Sequence, residues 1–276
     1  MIIDVQQIVD IKKEELKEKV VKLKRIGKTP KLAVILANDD KASEIYVKKK
    51  RELCLEIGIE EVEYIYDDKV KEEEILEKIN SLNEDESVNG ILIQLPLFKH
   101  LNANTIINKI MPNKDVDGLT IVNAGKLAIG QASITPCTPK GIISILDSLK
   151  TEYTGKHAVI VGRSNLVGKP LSQLLLNKDT TVTICHSKTK ELKKYTKEAD
   201  ILIVACGKAN IITKDMVKKD SIVIDVGINK TVNGQIVGDC DTLNIDKKVK
   251  YITKVPGGVG LTTVISLIEN VVSQVE

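Results

Sequence analysis

The stretch from His157 to Leu176 places the strongest constraint on how this chain can fold. It reads HAVIVGRSNLVGKPLSQLLL, in which an apolar run ends at Gly162 and Gly168 opens a segment with helical spacing of leucines. Gly162 permits a sharp turn after a strand, and Gly168 lets a ligand approach the helix N-terminus, where N–H groups and the helix dipole favour phosphate. The pattern predicts a strand, a glycine turn and a helix that bind a dinucleotide. Because Ser164 occupies the middle position of G-x-G-x-x-G and the last glycine comes one residue late, an ordinary strand-to-helix connection remains an alternative for this loop alone.

Strands and helices alternate through the rest of this half of the chain. The predicted strands are 157–162, 180–185, 201–207 and 221–227, and the helices between them are 168–177, 190–198 and 213–218. An Asn-Gly pair at 233–234 predicts a hairpin after the last strand. Four strands with intervening helices favour a parallel, doubly wound sheet of the kind that binds nucleotides.

The first half of the chain also alternates, but without a glycine-rich first turn. A charged amphipathic helix runs to about Lys24 and is followed by the buried-strand run 31–37 and a long helix over 42–57. Two further strands flank one more helical segment, and the three read EVEYIYD, KEEEILEKINSL and GILIQLPL. Residues 112–139 are rich in Gly, Pro and Asn with no sustained period, so we place a domain boundary there. The sequence therefore predicts two α/β domains.

Composition excludes several classes of function. The 276 residues are 42% hydrophobic and 29% charged, which is typical of a globular protein with sizeable cores. A net charge of +3 from 41 basic and 38 acidic side chains, with no Trp and one Phe, argues against a nucleic-acid or membrane surface. The five cysteines are scattered without a C-x-x-C pair, so we interpret them as reduced thiols of a cytoplasmic protein. The N-terminal residues do not predict a signal peptide, and no apolar run reaches membrane-spanning length.

Eight short motifs are spread in order from one end of the chain to the other. They are SEIYVKKK (43–50), GILIQLPL (90–97), PNKDVDG (112–118), PCTPKG (136–141), VGRSNLVGKP (161–170), TVTICHSKT (181–189), VIDVGIN (223–229) and PGGVG (256–260). Together they resemble the bifunctional methylenetetrahydrofolate dehydrogenase/cyclohydrolase family. The resemblance implies oxidation of 5,10-methylenetetrahydrofolate with NADP⁺ and hydrolysis of the methenyl product to 10-formyltetrahydrofolate, in a cleft between two domains. It also implies a homodimer formed through the nucleotide domain.

The same resemblance implies how the domains divide. Residues 1–120 would form an α/β catalytic domain to which a C-terminal helix (259–276) returns, and residues 121–258 would form a Rossmann-like NADP-binding domain. The chain departs from the family pattern at four places: Asn38 stands for glycine, Phe98 and Lys254 for proline, and Leu261-Thr262 for proline-methionine. The last departure lies beside the expected cofactor and substrate, so it bears on loop conformation and affinity more than on reaction type.

Tyr46 and Lys50 are four residues apart in the predicted helix, so both side chains lie on one face and can meet the same ligand. From the residues alone, a solvated lysine beside a core tyrosine is the simpler interpretation, given the run Lys48-Lys49-Lys50. The resemblance implies that Lys50 handles the protons when water attacks the methenyl cation. A lysine does so near neutral pH only where burial or nearby positive charge lowers its pKa, and the substrate's own cation could supply part of this shift.

Gln94 and Asp117 extend the predicted catalytic and folate-binding set. Gln94 ends a predicted central strand, where open α/β sheets place ligands, and its amide could orient Lys50 without neutralising it; a solvent-facing glutamine is the alternative. The resemblance implies that Asp117 accepts hydrogen bonds from the pterin ring, although Asp-x-Asp-Gly could be a plain turn. A calcium loop would need further oxygen ligands and a distal Glu that are missing, so we expect no metal. Gly257 and Gly258 are further substrate-binding positions that the resemblance implies.

The cofactor residues follow from the glycine loop and from the strand after it. The resemblance assigns NADP contacts to Gly162, Arg163, Ser164, Gly168, Ser187 and Ile228. An NAD site of this fold carries an acidic residue at the end of the second strand, whereas here residues 186–189 (HSKT) follow that strand with no carboxylate before Glu191. Arg163 and Ser187 can take a 2′-phosphate there, so we predict a preference for NADP. The alternative is that Arg163 pairs with a surface acid and the neighbouring lysines are solvated.

Two other functions remain open from the sequence. A monofunctional NAD(P)-dependent methylenetetrahydrofolate dehydrogenase would have the same fold and cofactor. A non-catalytic nucleotide-binding regulator would have kept the fold and lost the chemistry. Such a regulator has no need of four side chains that this chain retains together, namely Tyr46, Lys50, Gln94 and Asp117.

Overall fold

Two parallel β-sheets with helices between their strands make up the protein, which confirms the predicted α/β class. The computed structural model describes residues 1–131 and 134–275, and at positions 41, 42 and 45 it describes the backbone only. None of the helices within these ranges combines the length and the apolar character needed to cross a membrane.

Contacts divide the chain into two compact units. The first unit is Ile11–Cys137 with Val264–Glu276, and the second unit is Met1–Asp10 with Thr138–Thr263. The chain therefore changes unit three times, whereas the sequence predicted two changes, near residues 120 and 258.

The first unit contains a three-stranded parallel sheet in the order β2-β1-β3. Its elements are most of α1 (Val5–Arg25), β1 (Lys31–Leu36), α2 (Lys41–Ile57), β2 (Glu60–Ile65), α3 (Glu72–Glu84), β3 (Gly90–Gln94), α4 (Ala103–Ile107) and α5 (Ile121–Ala128). β1 is the central strand, and its apolar side chains are buried on both faces of the sheet. The register pairs Leu36 with Gln94, so Gln94 is the last residue of β3. β3 is shorter than the predicted stretch 90–97, because Pro96 has no N–H with which to continue the ladder.

A buried carboxylate explains why the segment after residue 120 stays with the first unit. Asp115 accepts hydrogen bonds from the backbone N–H groups of Leu119 at 3.1 Å and Thr120 at 2.8 Å. It also accepts from the side-chain amide of Asn123 at 2.9 Å. These bonds tie the start of α5 to the loop after β3, and the change of unit follows Cys137, within the irregular stretch 112–139.

The second unit contains a five-stranded parallel sheet in the order β10-β7-β6-β4-β5. Its elements are α6 (Cys137–Ser148), β4 (His157–Val161), α7 (Gly168–Leu176), β5 (Thr181–Cys185), α8 (Leu192–Thr196), β6 (Ile201–Val204), β7 (Ile222–Asp225), β8 (Asn229–Lys230), β9 (Ile236–Val237), α9 (Thr242–Ile245) and β10 (Tyr251–Ile252). From β4 the chain passes to β5 on one side and then returns to β6 on the other. The strand order therefore reverses beside β4, which is where doubly wound sheets bind ligands.

The second unit differs from the sequence prediction in two places. The predicted helix 213–218 is only a 3₁₀ turn, Lys214–Met216, in which the Thr213 hydroxyl donates to Asp215 at 2.5 Å. Such local side-chain hydrogen bonds compete with a regular helix.

The first residues of the chain also belong to the second unit. Ile3 N–H donates to the Ile252 carbonyl at 2.9 Å, and Ile252 N–H donates to the Met1 carbonyl at 3.0 Å. The hairpin predicted at 233–234 is present as the antiparallel pair β8 and β9.

The C-terminal helix α10 (Val259–Ser273) contributes its later residues to the first unit. The side-chain amide of Asn270 donates to the Val116 and Thr135 carbonyls, both at 2.9 Å. Val271 lies so close to Gly90 that a Cβ on that glycine would be 3.2 Å from it. The helix therefore closes the first unit by burying apolar surface and by satisfying two carbonyls of the loops that flank Asp117.

We predict that Asn270→Ala destabilises the protein by about 1–3 kcal/mol, because the Thr135 carbonyl would lose its amide donor and the Val116 carbonyl would keep only the Cys137 thiol, a weak donor. Urea unfolding followed by circular dichroism measures this change. Ser273→Ala is the matched control, since Ser273 is exposed at the end of the same helix and its hydroxyl bonds only to its near neighbours Asn270 and Gln274. Equal midpoints for the two variants would contradict the prediction.

Candidate active site and nucleotide-binding loop

The amine of Lys50 and the amide of Gln94 meet in the first unit. Lys50, in the middle of α2, donates from Nζ to Gln94 Oε1 at 2.8 Å. The amide NH₂ of Gln94 donates to the Leu95 carbonyl at 2.8 Å, which orients the amide oxygen towards the amine. Lys50 therefore has a neutral partner that holds the amine in place without an opposing full charge.

Asn38 fixes the backbone that carries Gln94. Its amide donates to the Pro96 carbonyl at 2.6 Å and lies 3.4 Å from the Gln94 carbonyl. Phe98 N–H also donates to the Ala37 carbonyl at 2.8 Å. The sequence showed Asn38 only as a replacement of the glycine usual in the family. In the structure its side chain connects the end of β1 to the segment after β3 through a hydrogen bond.

Asp117 lies in a tight turn after β3. Gly118, which follows it, has φ +69°, and a Cβ there would come within 2.7 Å of the Ile134 carbonyl. Cys137 donates its thiol to the Val116 carbonyl at 3.3 Å, so the turn is held against the segment that leads into α6. This close approach leaves the carboxyl of Asp117 within the electrostatic reach of Lys50.

Burial has the largest effect on the pKa of Lys50 and on that of Asp117. Loss of hydration lowers the pKa of Lys50, and the neighbouring groups Asp117, Cys137, Glu61 and Cys54 act in the opposite direction. Burial raises the pKa of the Asp117 carboxyl, whereas the Lys50 ammonium and a hydrogen bond from the Cys137 thiol oppose that rise. The result is an amine that can exchange a proton closer to neutral pH than an exposed lysine can.

The structure thus brings together three of the predicted residues of the first unit, and Tyr46 lies one helical turn before Lys50, where it is partly buried. Sequence reasoning missed Cys54 and Glu61 as neighbours of Lys50. A signal for Cys54 was available, because it follows Lys50 by four residues on the same helix. A period-two interpretation of β2 also places Glu61 and Glu63 on one face of that strand.

In the second unit, Gly162 and Gly168 are required by packing. Gly162 has φ +136°, and a Cβ on it would lie 2.2 Å from the Ala205 carbonyl at the end of β6. A Cβ on Gly168 would lie 2.1 Å from the Gly162 carbonyl. The loop between β4 and α7 is therefore drawn tight against its neighbours, and the hydroxyl of Ser164 accepts from Val167 N–H at 3.1 Å within it.

A groove of about 290 Å³ lies beside this loop at the point where the strand order reverses. Its polar lining consists of Gly162, Arg163, Ser164, His186, Ser187, Cys206 and Lys208. Two cations and two hydroxyls face the groove, and no carboxylate is present among the described residues that line it. This donor set fits the phosphates of NADP, because a 2′-phosphate meets cationic and hydroxyl donors and no repelling acid.

Asp239 organises the far wall of the groove, which sequence reasoning did not foresee. Its carboxylate accepts from the backbone N–H groups of Cys206 at 2.7 Å, Gly207 at 3.0 Å and Lys208 at 2.8 Å. Asp239 is positioned in turn by Asp225, whose carboxylate accepts from Asp239 N–H at 2.9 Å. These two buried carboxylates hold the loop that presents Lys208.

The remaining predicted positions also lie in the second unit. Gly257 has φ +92°, and a Cβ on Gly258 would lie 2.3 Å from the Lys254 carbonyl, so this turn accepts only glycine at both places. Ile228 is 56% exposed just after β7. The structure thus gathers Lys50, Gln94 and Asp117 in the first unit, and places Gly257, Gly258, Ile228 and the other cofactor positions in the second.

Comparisons with known proteins match this two-part organisation. Residues 3–117 match the catalytic-domain model of tetrahydrofolate dehydrogenase/cyclohydrolase, and residues 136–276 match its NAD(P)-binding-domain model. The chain is 46% identical to the bifunctional protein FolD of Bacillus cytotoxicus, covering 99% of this chain and 95% of that protein. It is 48% identical to the bifunctional protein FolD of Campylobacter hominis, covering 94% and 92% of the two chains.

Solved structures of the same family have the same fold as this chain. The bifunctional enzyme FolD of Campylobacter jejuni superimposes with a TM-score of 0.98 at 46% identity, covering 100% of this chain and 98% of that one. FolD of Trypanosoma brucei, solved with NADP cofactor and inhibitor, superimposes with a TM-score of 0.95 at 33% identity, covering 100% and 97%. The chain belongs to the tetrahydrofolate dehydrogenase/cyclohydrolase family.

Proposed function

We propose that this protein oxidises 5,10-methylenetetrahydrofolate with NADP⁺ to 5,10-methenyltetrahydrofolate and hydrolyses that product to 10-formyltetrahydrofolate. The observation that carries the proposal is the partly buried amine of Lys50, held at 2.8 Å by a neutral amide in a chain of this family. A dehydrogenase alone has no need of a proton-handling amine at the folate site, whereas hydrolysis of a cation does.

The folate site supplies binding and proton transfer. In the hydrolysis, water adds to the carbon between the two folate nitrogens, and the amine of Lys50 takes a proton from that water. The same group then returns that proton to the nitrogen that leaves. The bond from the carbon to this nitrogen breaks, the added hydroxyl releases its own proton to solvent as it becomes the carbonyl, and the formyl group stays on the other nitrogen. Gln94 orients the Lys50 amine towards the reacting carbon. Asp117 accepts hydrogen bonds from the N–H donors of the pterin, and Tyr46 packs over the ring from the adjacent helical turn.

In the second unit, Gly162 and Gly168 let the pyrophosphate approach the start of α7. Arg163 and Ser187 would hold the 2′-phosphate, Ser164 and Ile228 would supply further cofactor contacts, and Gly257 and Gly258 are the proposed substrate-binding positions of this unit. NADP⁺ supplies the hydride acceptor, so the chain itself needs to provide only orientation for the oxidation step.

The absorbance of methenyl-folate tests the activity directly. Purified protein is mixed with methylenetetrahydrofolate and NADP⁺, and the absorbance is followed with time. Transient formation followed by decay supports the bifunctional enzyme. Accumulation would indicate a monofunctional dehydrogenase, and no formation would indicate a nucleotide-binding regulator.

We also propose that the protein is a cytoplasmic homodimer that supplies one-carbon units to purine biosynthesis. The location is supported by five free cysteines, which suit a reducing compartment. The dimer is supported by β5, an outer strand of its sheet with an open edge that could pair with a second copy. Sedimentation velocity tests the dimer, and a monomer at micromolar concentration would contradict it. Cell fractionation tests the location, and purine dependence of a deletion strain tests the metabolic role.

We predict that Lys50→Met lowers cyclohydrolase turnover by about 10²–10⁴-fold, because methionine fills the site and cannot carry a proton. The oxidation step should fall much less, since its driving force lies in the substrate nitrogen and the nicotinamide. Both rates are measured by the methenyl-folate assay. Lys49→Met is the matched control, because Lys49 is exposed on the same helix. Equal loss of both activities with unchanged folate affinity would contradict this division of labour.

We predict that Arg163→Ala lowers the NADP⁺ to NAD⁺ ratio of kcat/KM by about 10–100-fold, because one charge-assisted contact to the 2′-phosphate is lost. Steady-state kinetics with each cofactor give the ratio. Lys190→Ala controls for general loss of positive charge, since Lys190 is exposed and does not line the groove. A wild-type ratio near unity, or one that Arg163→Ala leaves unchanged, would reject Arg163 as the discriminator.

A further inference from the structure

Asp239 is a carboxylate that the proposed reaction does not use. It is fully buried in the loop between β9 and α9, and each of its oxygens accepts two hydrogen bonds. Oδ2 accepts from the backbone N–H groups of Cys206 at 2.7 Å and Gly207 at 3.0 Å. Oδ1 accepts from the backbone N–H of Lys208 and from the side-chain amide of Asn229, both at 2.8 Å. Four N–H donors thus replace the water that this carboxylate loses on burial.

The four donors come from two loops, and each loop carries a position that faces the cofactor. In the loop after β6, Cys206 and Lys208 line the groove of about 290 Å³. The loop after β7 ends at Asn229, directly after Ile228, the exposed residue proposed as a cofactor contact. Asp239 is not among the described residues that line the groove, so it acts on a ligand there only through these loops.

Two glycines and a second carboxylate fix Asp239 in turn. A Cβ on Gly227 would overlap Asp239 Oδ1, so this glycine permits the loop after β7 to approach the carboxylate. The carboxylate of Asp225 accepts from Asp239 N–H at 2.9 Å, and a Cβ on Gly238 would overlap it. Asp239 therefore has a defined place in the fold, and it joins two loops that are about twenty residues apart in the sequence.

We propose that Asp239 is a positioning residue for the cofactor, whose carboxylate sets the affinity for NADP by holding the loops after β6 and β7 in their binding conformation. The inference rests on the proposed NADP-dependent oxidation. Lys208 is one of two cations that line the groove, and Arg163, on the loop after β4, is the other. A loop that is ordered before the ligand arrives removes an ordering cost from binding, so the fixed loop binds NADP more tightly than a free one.

Asp239→Asn tests the inference, because an amide cannot replace this carboxylate in either orientation. Whichever side the NH₂ takes, it faces two N–H donors, and only one oxygen is left to accept. We expect Kd for NADPH, measured by titration of its fluorescence, to rise about 10-fold, since binding must then order the loops. Asp241→Asn is the matched control, because the Asp241 carboxylate accepts from the Asn244 side chain at 2.7 Å and does not line the groove. Its Kd should stay at the wild-type value.

The two proposed activities separate positioning from general damage. Oxidation by Asp239→Asn should show a raised KM for NADP⁺ with little change in kcat. Hydrolysis of added methenyltetrahydrofolate consumes no NADP and is assigned to the first unit, so its rate and the KM for the folate should stay at wild-type values. Asn229→Ala, which removes one of the four donors, serves if Asp239→Asn does not fold, and we expect a smaller rise in Kd.

Two results would overturn the inference. One is an unchanged Kd for NADPH in the folded variants. The other is a loss of hydrolysis equal to the loss of NADPH binding, because that would indicate damage to the whole protein. A wild-type protein that binds NADPH but hydrolyses no methenyltetrahydrofolate would instead reject the proposed bifunctional activity. In that case the Kd values of Asp239→Asn and Asp241→Asn would still decide the role of Asp239.

Discussion

The cost of partly burying the amine of Lys50 governs the arrangement around it in the first unit. An ammonium group loses much of its hydration when it is buried, so the surrounding structure must replace water or accept a neutral base. Here the replacement is the amide oxygen of Gln94 at 2.8 Å, and the charge of the Asp117 carboxyl also favours the ammonium form. The amide is fixed by the Leu95 carbonyl, and Asn38 fastens the backbone behind it. Each of these contacts limits the freedom of one amine, which is what proton transfer to a defined atom requires.

Side-chain carboxylates and amides hold the loops at the ends of the strands in both units. Parallel strands end in loops whose backbone groups have no neighbouring strand to pair with, and a buried group left without a partner is costly. Asp115 serves the loop after β3, Asp225 and Asp239 serve those after β7 and β6, and Asn270 satisfies two carbonyls from a distant helix. The site loops are therefore held by a few polar side chains at defined places, which leaves their outer faces available for ligands.

The sequence predicted the fold class and the contact between Lys50 and Gln94, because both depend on local spacing and on the edge of a sheet at which a strand ends. Periodicity did not predict where the chain changes unit, since that depends on Asp115 and Asn270, whose partners lie elsewhere in the sequence. The short turn at Lys214–Met216 was missed because polar side chains there bond locally. Asp239 could not be singled out either, since an aspartate in a loop gives no sign that its carboxylate binds the backbone of a distant loop.

The return of α10 to the first unit has a consequence for how the protein is made. Residues 11–137 leave the ribosome well before Asn270 and Val271, so the carbonyls of Val116 and Thr135 and the surface over Gly90 must wait for their partners. The sheet of the second unit, by contrast, is synthesised as one continuous stretch and can form while translation continues. The first unit thus waits through about half of synthesis with apolar surface uncovered, the condition under which nascent chains aggregate or recruit chaperones.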